Sequence, residues 1–128
     1  MLTITALYAG LLALLFFGLS VVVIRRRGSE RISLGDGGKS HLQRAIRGHG
    51  NFAEYVPLIL ILLSIMELSE VAAWRLHLMG GLLLAGRLLH GYCFAFTESN
   101  LPARVGGMAL TFTALVMGAL SCLWISIS

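Results

Sequence analysis

The chain has 128 residues, 57% of them hydrophobic and 12% charged, with a net charge of +4 and a mean hydropathy of +0.85. Soluble domains carry about 25% charged residues, so this composition excludes a water-soluble globular enzyme and points to an integral membrane protein. Seven of the ten Lys and Arg fall between Arg25 and Arg47, a topology signal rather than a nucleic-acid footprint.

Four apolar segments follow in chain order, at about residues 2–24, 45–68, 72–96 and 103–127. Each supplies the roughly 20 residues that a spanning helix needs. The expected fold is all-α, a single integral membrane four-helix bundle covering residues 1–128. The first segment differs from a secretory signal, because no charge precedes it and Arg25-Arg26-Arg27 follows it. It reads as a permanent span. By the positive-inside rule the loop at 25–44 is cytoplasmic, and both termini lie on the opposite side, periplasmic in a bacterium.

Residues 28–43 form a Gly-rich polar connector. Gly35-Asp-Gly-Gly-Lys39-Ser40 superficially resembles a phosphate-binding loop. The pattern fails, since its first glycine would stand at Ser33 and no strand precedes it. A short turn around Ser69-Glu70 sets spans two and three antiparallel. Gly80, Gly81 and Gly86 in span three, with Gly106, Gly107 and Gly118 in span four, allow close helix approach in lipid. Cys93 and Cys122 read as intramembrane packing residues, and no His, Cys, Asp and Glu grouping has metal-ligand spacing, so no metal is expected.

The second span opens with polar groups that are costly at membrane depth. Spacings of four and three place Arg47, Asn51 and Glu54 on one helical face. Span three carries Arg87 and His90 on a shared face, and Arg104 begins span four just after Pro102. Counting about 1.5 Å per residue from the cytoplasmic ends sets Glu54 level with Arg87 and Asn51 level with His90. That depth match suggests an ion pair between Glu54 and Arg87, or joint handling of a polar ligand. Arg44, Arg47, Arg87 and Arg104 face a single intramembrane carboxylate, a surplus that suits an anionic ligand, because guanidinium binds carboxylate bidentately.

These residues carry a resemblance. Arg44, Arg47, Asn51, Glu54, Tyr55 and Pro57 match the pattern Arg-x-x-Arg-x-x-x-Asn-x-x-Glu-Tyr-x-Pro. It resembles the signature of the MAPEG family, the membrane-associated proteins of eicosanoid and glutathione metabolism. Arg87-x-x-His90 and Pro102-x-Arg104 are similar to its prostaglandin-forming members, and the four-span layout as a whole looks like a bacterial-type microsomal glutathione S-transferase.

The resemblance implies a homotrimer in the cell inner membrane, with glutathione as co-substrate bound between protomers on the cytoplasmic side. It assigns glutathione binding to Arg44, Arg47, Asn51, Glu54, Tyr55, Arg87 and His90, and thiolate stabilisation, the catalytic role, to Arg104. The implied partners are glutathione, a lipophilic small molecule and membrane lipid, with no nucleic acid. The chain departs from the family where a tyrosine is expected four residues after His90 and Phe94 stands instead. Tyr92 falls on a different face, and the stretch from Arg87 to Arg104 is one residue longer than in the prostaglandin-forming members.

The expected activity is transfer of glutathione to lipophilic electrophiles, or reduction of hydroperoxides. Two other classes compete: a non-enzymatic lipid- or partner-binding protein of the same family, and a small multidrug-type transporter. Transporters of that type rely on an acidic residue in the first span, and residues 2–24 contain no Asp or Glu.

Overall fold

The computed structural model describes all residues 1–128 and contains four α-helices: α1 (Thr3–Glu30), α2 (Ser40–Leu68), α3 (Ala73–Phe96) and α4 (Leu101–Ile127). All four are long and apolar enough to cross a membrane. α2 has 29 residues, hence a length of about 43 Å against a hydrocarbon core of about 30 Å. The polar first turns of α2 and last turns of α1 therefore extend into the headgroup region.

That overhang corrects the expected connector. Residues 28–30 and 40–43 are helical, and only residues 31–39 form the link. Backbone hydrogen bonding beyond the bilayer continues the helices until Arg31, at φ 56°, closes α1 with its N–H on the Gly28 carbonyl. Gly35, Gly37 and Gly38 then take positive φ, and Asp36 Oδ1 accepts from the Gly38 N–H to tighten the turn.

α2 and α3 each touch all three other helices, whereas α1 and α4 do not meet; α3 packs most extensively against α4. Its seam with α4 is the tightest in the bundle. A Cβ on Gly86 would stand 2.8 Å from the Gly107 carbonyl oxygen, and one on Gly107 would stand 2.8 Å from the His90 nitrogen. Backbone cannot yield as a side chain can, so glycine is required on both sides. Thr111 Oγ1 donates to the Gly107 carbonyl at 2.8 Å, within this seam.

α1 packs its Tyr8, Leu12 and Leu19 against α2 and α3. Its N-terminus has no cap of its own. Instead Glu67 near the end of α2 accepts from the Ile4 N–H at 2.8 Å and the Thr5 N–H at 2.7 Å, one carboxylate oxygen each. This satisfies two of the free N–H groups at the helix start and places negative charge where the helix dipole favours it. At the same end, the Tyr8 hydroxyl donates to the His77 carbonyl at 3.1 Å. Trp74 and Trp124 are exposed there, as interfacial aromatic residues are.

Candidate functional site

At the other end, the polar residues of α2, α3 and α4 assemble around the start of α4. Arg47 and Glu54 are seven residues apart, which brings them back to within about 20° of one another around the helix. Their side chains form a bidentate pair, with both Nη···Oε distances 3.0 Å, on the exposed surface of α2. Tyr55 lies beside this pair and meets Phe112 of α4 edge-on at 5.5 Å between ring centroids.

Asn51 sits a little under one turn before Glu54 and faces inward. Its Oδ1 accepts from Arg87 Nη1 at 2.7 Å. This corrects the pairing expected from depth: Arg87 bonds Asn51, while Glu54 pairs with Arg47. Residue counting gives the level along a helix but not the direction around it. Three residues turn the helix about 300°, enough to separate an inward amide from an outward carboxylate.

Arg87 is fully buried, at 0% exposure, and has no carboxylate partner. Its Nη2 lies 3.3 Å from His90 Nδ1, its guanidinium sits over the Phe52 ring at 5.4 Å, and its Nε has no hydrogen-bond partner. Its Nη1 also reaches Met108 Sδ at 3.9 Å. A desolvated cation whose contacts are one amide oxygen, an imidazole, a thioether sulfur and a π face is incompletely compensated.

Phe94 organises the remaining residues. Its ring stacks on His90 at 4.6 Å, and the guanidinium carbons of Arg44 and Arg104 each lie 5.4 Å from its centroid. Gly48 makes room for it: a Cβ there would be 2.7 Å from the Phe94 Cβ. Arg44 also donates through Nη2 to the carbonyls of Cys93 at 3.0 Å and Thr97 at 2.7 Å, closing the C-terminal end of α3. Arg104 is exposed, has no ion-pair partner, and borders both a small pocket shared with Arg44 and Cys93 and an apolar groove of about 280 Å³ toward Met108 and Phe112. Tyr92 is exposed on the lipid-facing side of α3, away from Phe94.

Two residues of this region escaped the sequence reading. Arg26 was expected only as a topology charge, yet its Nη1 and Nη2 donate to the His41 and Ala95 carbonyls, joining α1 to α2 and α3. Phe94 was expected only as a missing tyrosine. The signal for Arg26 was its position in the helical overhang, and for Phe94 its place four residues after His90 on the same face.

The profile of the MAPEG family matches residues 5–124. This chain belongs to the MAPEG family. Among MAPEG relatives, the inner membrane protein YecN of Escherichia coli strain K12 is 44% identical over 121 residues, covering 94% of this chain and 91% of its own. YecN of E. coli O6:H1 strain CFT073 matches to the same extent. No solved structure matches the chain closely enough to be compared. The chain is thus a MAPEG membrane protein, in a family that includes glutathione transferases.

Proposed function

We propose that this protein binds glutathione at the α2–α3–α4 site and transfers it to lipophilic electrophiles or uses it to reduce lipophilic hydroperoxides. The observation that carries this reading is Arg87, fully buried, with an unpartnered Nε and no carboxylate to neutralise it. Together with Arg44, Arg47 and Arg104 it gives the site four guanidinium groups against the single carboxylate of Glu54. That donor set fits a tripeptide with two carboxylates and an amino group, since Glu54 can exchange its bond with Arg47 for one to an ammonium.

Glutathione, when bound, supplies the thiol whose sulfur attacks the second substrate. The protein's part is orientation and charge. Arg47, Asn51, Glu54 and Tyr55 hold the peptide, with Arg44 closing the site at the end of α3. Arg87 and His90 bond to it from below, and Arg104 favours the deprotonated sulfur by its fixed positive charge. The apolar groove beside Arg104, toward Met108 and Phe112, admits a hydrophobic substrate from the bilayer.

The exposed Arg47–Glu54 pair supports a homotrimer. Charges turned outward at membrane depth are costly, and a neighbouring protomer would cover them. In this reading the protein lies in the inner membrane, as the name of its E. coli relatives says of them, with residues 31–39 cytoplasmic and both termini periplasmic.

Calorimetric titration of the detergent-purified protein with glutathione tests the proposal. Saturable binding is expected, with loss in Arg47→Ala. A folded wild-type protein that takes up no glutathione rejects the reading and leaves a non-enzymatic member of the family.

A further inference from the structure

A second groove, of about 270 Å³, opens between α1 and α3 on the outer surface of the bundle. Leu19 and Val22 on one side and Leu88 and Tyr92 on the other form its walls, over Gly18 and Gly91. A Cβ on Gly18 would meet nothing within 4 Å, so helix packing does not require a glycine there. Toward the charged end the groove shares Ala95 and Phe96 with a cavity of about 750 Å³ that contains Arg26 and Arg44.

Both arginines are without a carboxylate partner, although Glu98 also lines the cavity. Their terminal nitrogens donate to main-chain carbonyls, which leaves each Nε–H free of those bonds. Both guanidinium groups line this one cavity. An anion held in it is attracted by both. The adjoining apolar groove says what kind of anion: it favours an amphiphile over a soluble peptide or a free ion. From Gly18 to Arg26 is about 12 Å along α1, the distance from the upper acyl chain to the headgroup layer.

We propose that the α1–α3 groove and the Arg26/Arg44 cavity together bind one phospholipid with an anionic headgroup, its acyl chain in the groove and its phosphate against the two guanidinium groups. Arg44 is shared with the glutathione reading, but Arg26 and Gly18, which the test varies, belong to the lipid site alone, and neither Arg47 nor Arg104 lines either part.

The test is native mass spectrometry of the delipidated full-length protein in detergent, titrated with phosphatidylglycerol and phosphatidylcholine of identical acyl chains. A basic residue near the membrane surface favours an anionic lipid by about fivefold, so wild-type protein is expected to prefer phosphatidylglycerol by roughly that factor for each arginine. Arg26→Gln is expected to reduce the preference by about fivefold while sparing phosphatidylcholine. Gly18→Leu fills the groove, where there is room for the side chain, and is expected to weaken both lipids. It also keeps the test open if Arg26→Gln loosens the end of α3. Arg47→Ala is expected to bind lipid as wild type does, whatever its effect on glutathione. Equal affinity of the wild type for the two lipids overturns the proposal, as does undiminished phosphatidylglycerol binding in either variant. Displacement of phosphatidylglycerol by millimolar inorganic phosphate would show a simple anion site and overturn it as well.

Discussion

Arg87 carries an unusual burden for a single side chain: a full positive charge, no solvent exposure and no carboxylate partner. Replacing it with methionine keeps a similar unbranched volume and removes the desolvated charge, at the cost of an unpaired Asn51 amide oxygen. Unliganded Arg87→Met is therefore expected to unfold at a temperature equal to or above that of wild type. Its glutathione affinity should fall by at least about tenfold, because hydrogen bonds from a charged donor contribute about 1.5–3 kcal/mol. Thermal unfolding and calorimetry on the same preparation check both halves. A large loss of stability in the unliganded variant would instead make Arg87 a structural residue. The partner of Arg87 could not be read from the sequence, since Asn51 and Glu54 both lie near its level and only the rotation of α2 decides between them.

Two contacts set how the helices are held. Gly107 meets the backbone of α3, and a larger residue there would have to push two helices apart. Gly107→Leu is expected to destabilise the protein by about 1–3 kcal/mol, read as a lower midpoint in thermal unfolding in detergent. A variant as stable as wild type would mean that α3 and α4 are not fixed at this crossing. Glu67→Gln keeps one oxygen acceptor for the start of α1 but loses the charge. A smaller effect of about 1 kcal/mol is expected, localised by faster amide exchange at Ile4 and Thr5. The existence of all four helices was legible from the apolar runs, and α2 through α4 begin within a few residues of where hydropathy places them except where α2 extends outward. That extension, Ser40 to Gln43, is polar and was hidden because hydropathy reports contact with lipid, whereas helix continuation depends on local hydrogen bonding.

For the whole molecule, the polar stripe of α2 was legible because its spacings of four and three keep Arg47, Asn51 and Glu54 close together around the helix. What the spacing left open was the tertiary grouping: an outward Arg47–Glu54 pair, an inward Asn51–Arg87–His90 cluster, and Phe94 between Arg44 and Arg104. The outward pair leads to an expectation about assembly. Light scattering in a mild detergent should give a protein mass of about three times 13.8 kDa, with Arg47→Leu combined with Glu54→Leu altering that mass. A monomer in several mild detergents would leave the pair facing lipid and would sink the trimer.

The bond from Asn51 to Arg87 also bears on how the chain enters the membrane. α3 is the least apolar of the four spans, and it carries a charge that finds its amide acceptor only on α2 and its tight backbone contact only on α4. An arginine at the centre of a lone helix raises the cost of insertion by about 2.5–3.5 kcal/mol. During synthesis α3 is therefore expected to linger at the translocon until α2 is beside it and α4 has emerged. Biogenesis of this small protein would then proceed by joint insertion of neighbouring helices, with the buried Arg87 setting the order of its assembly.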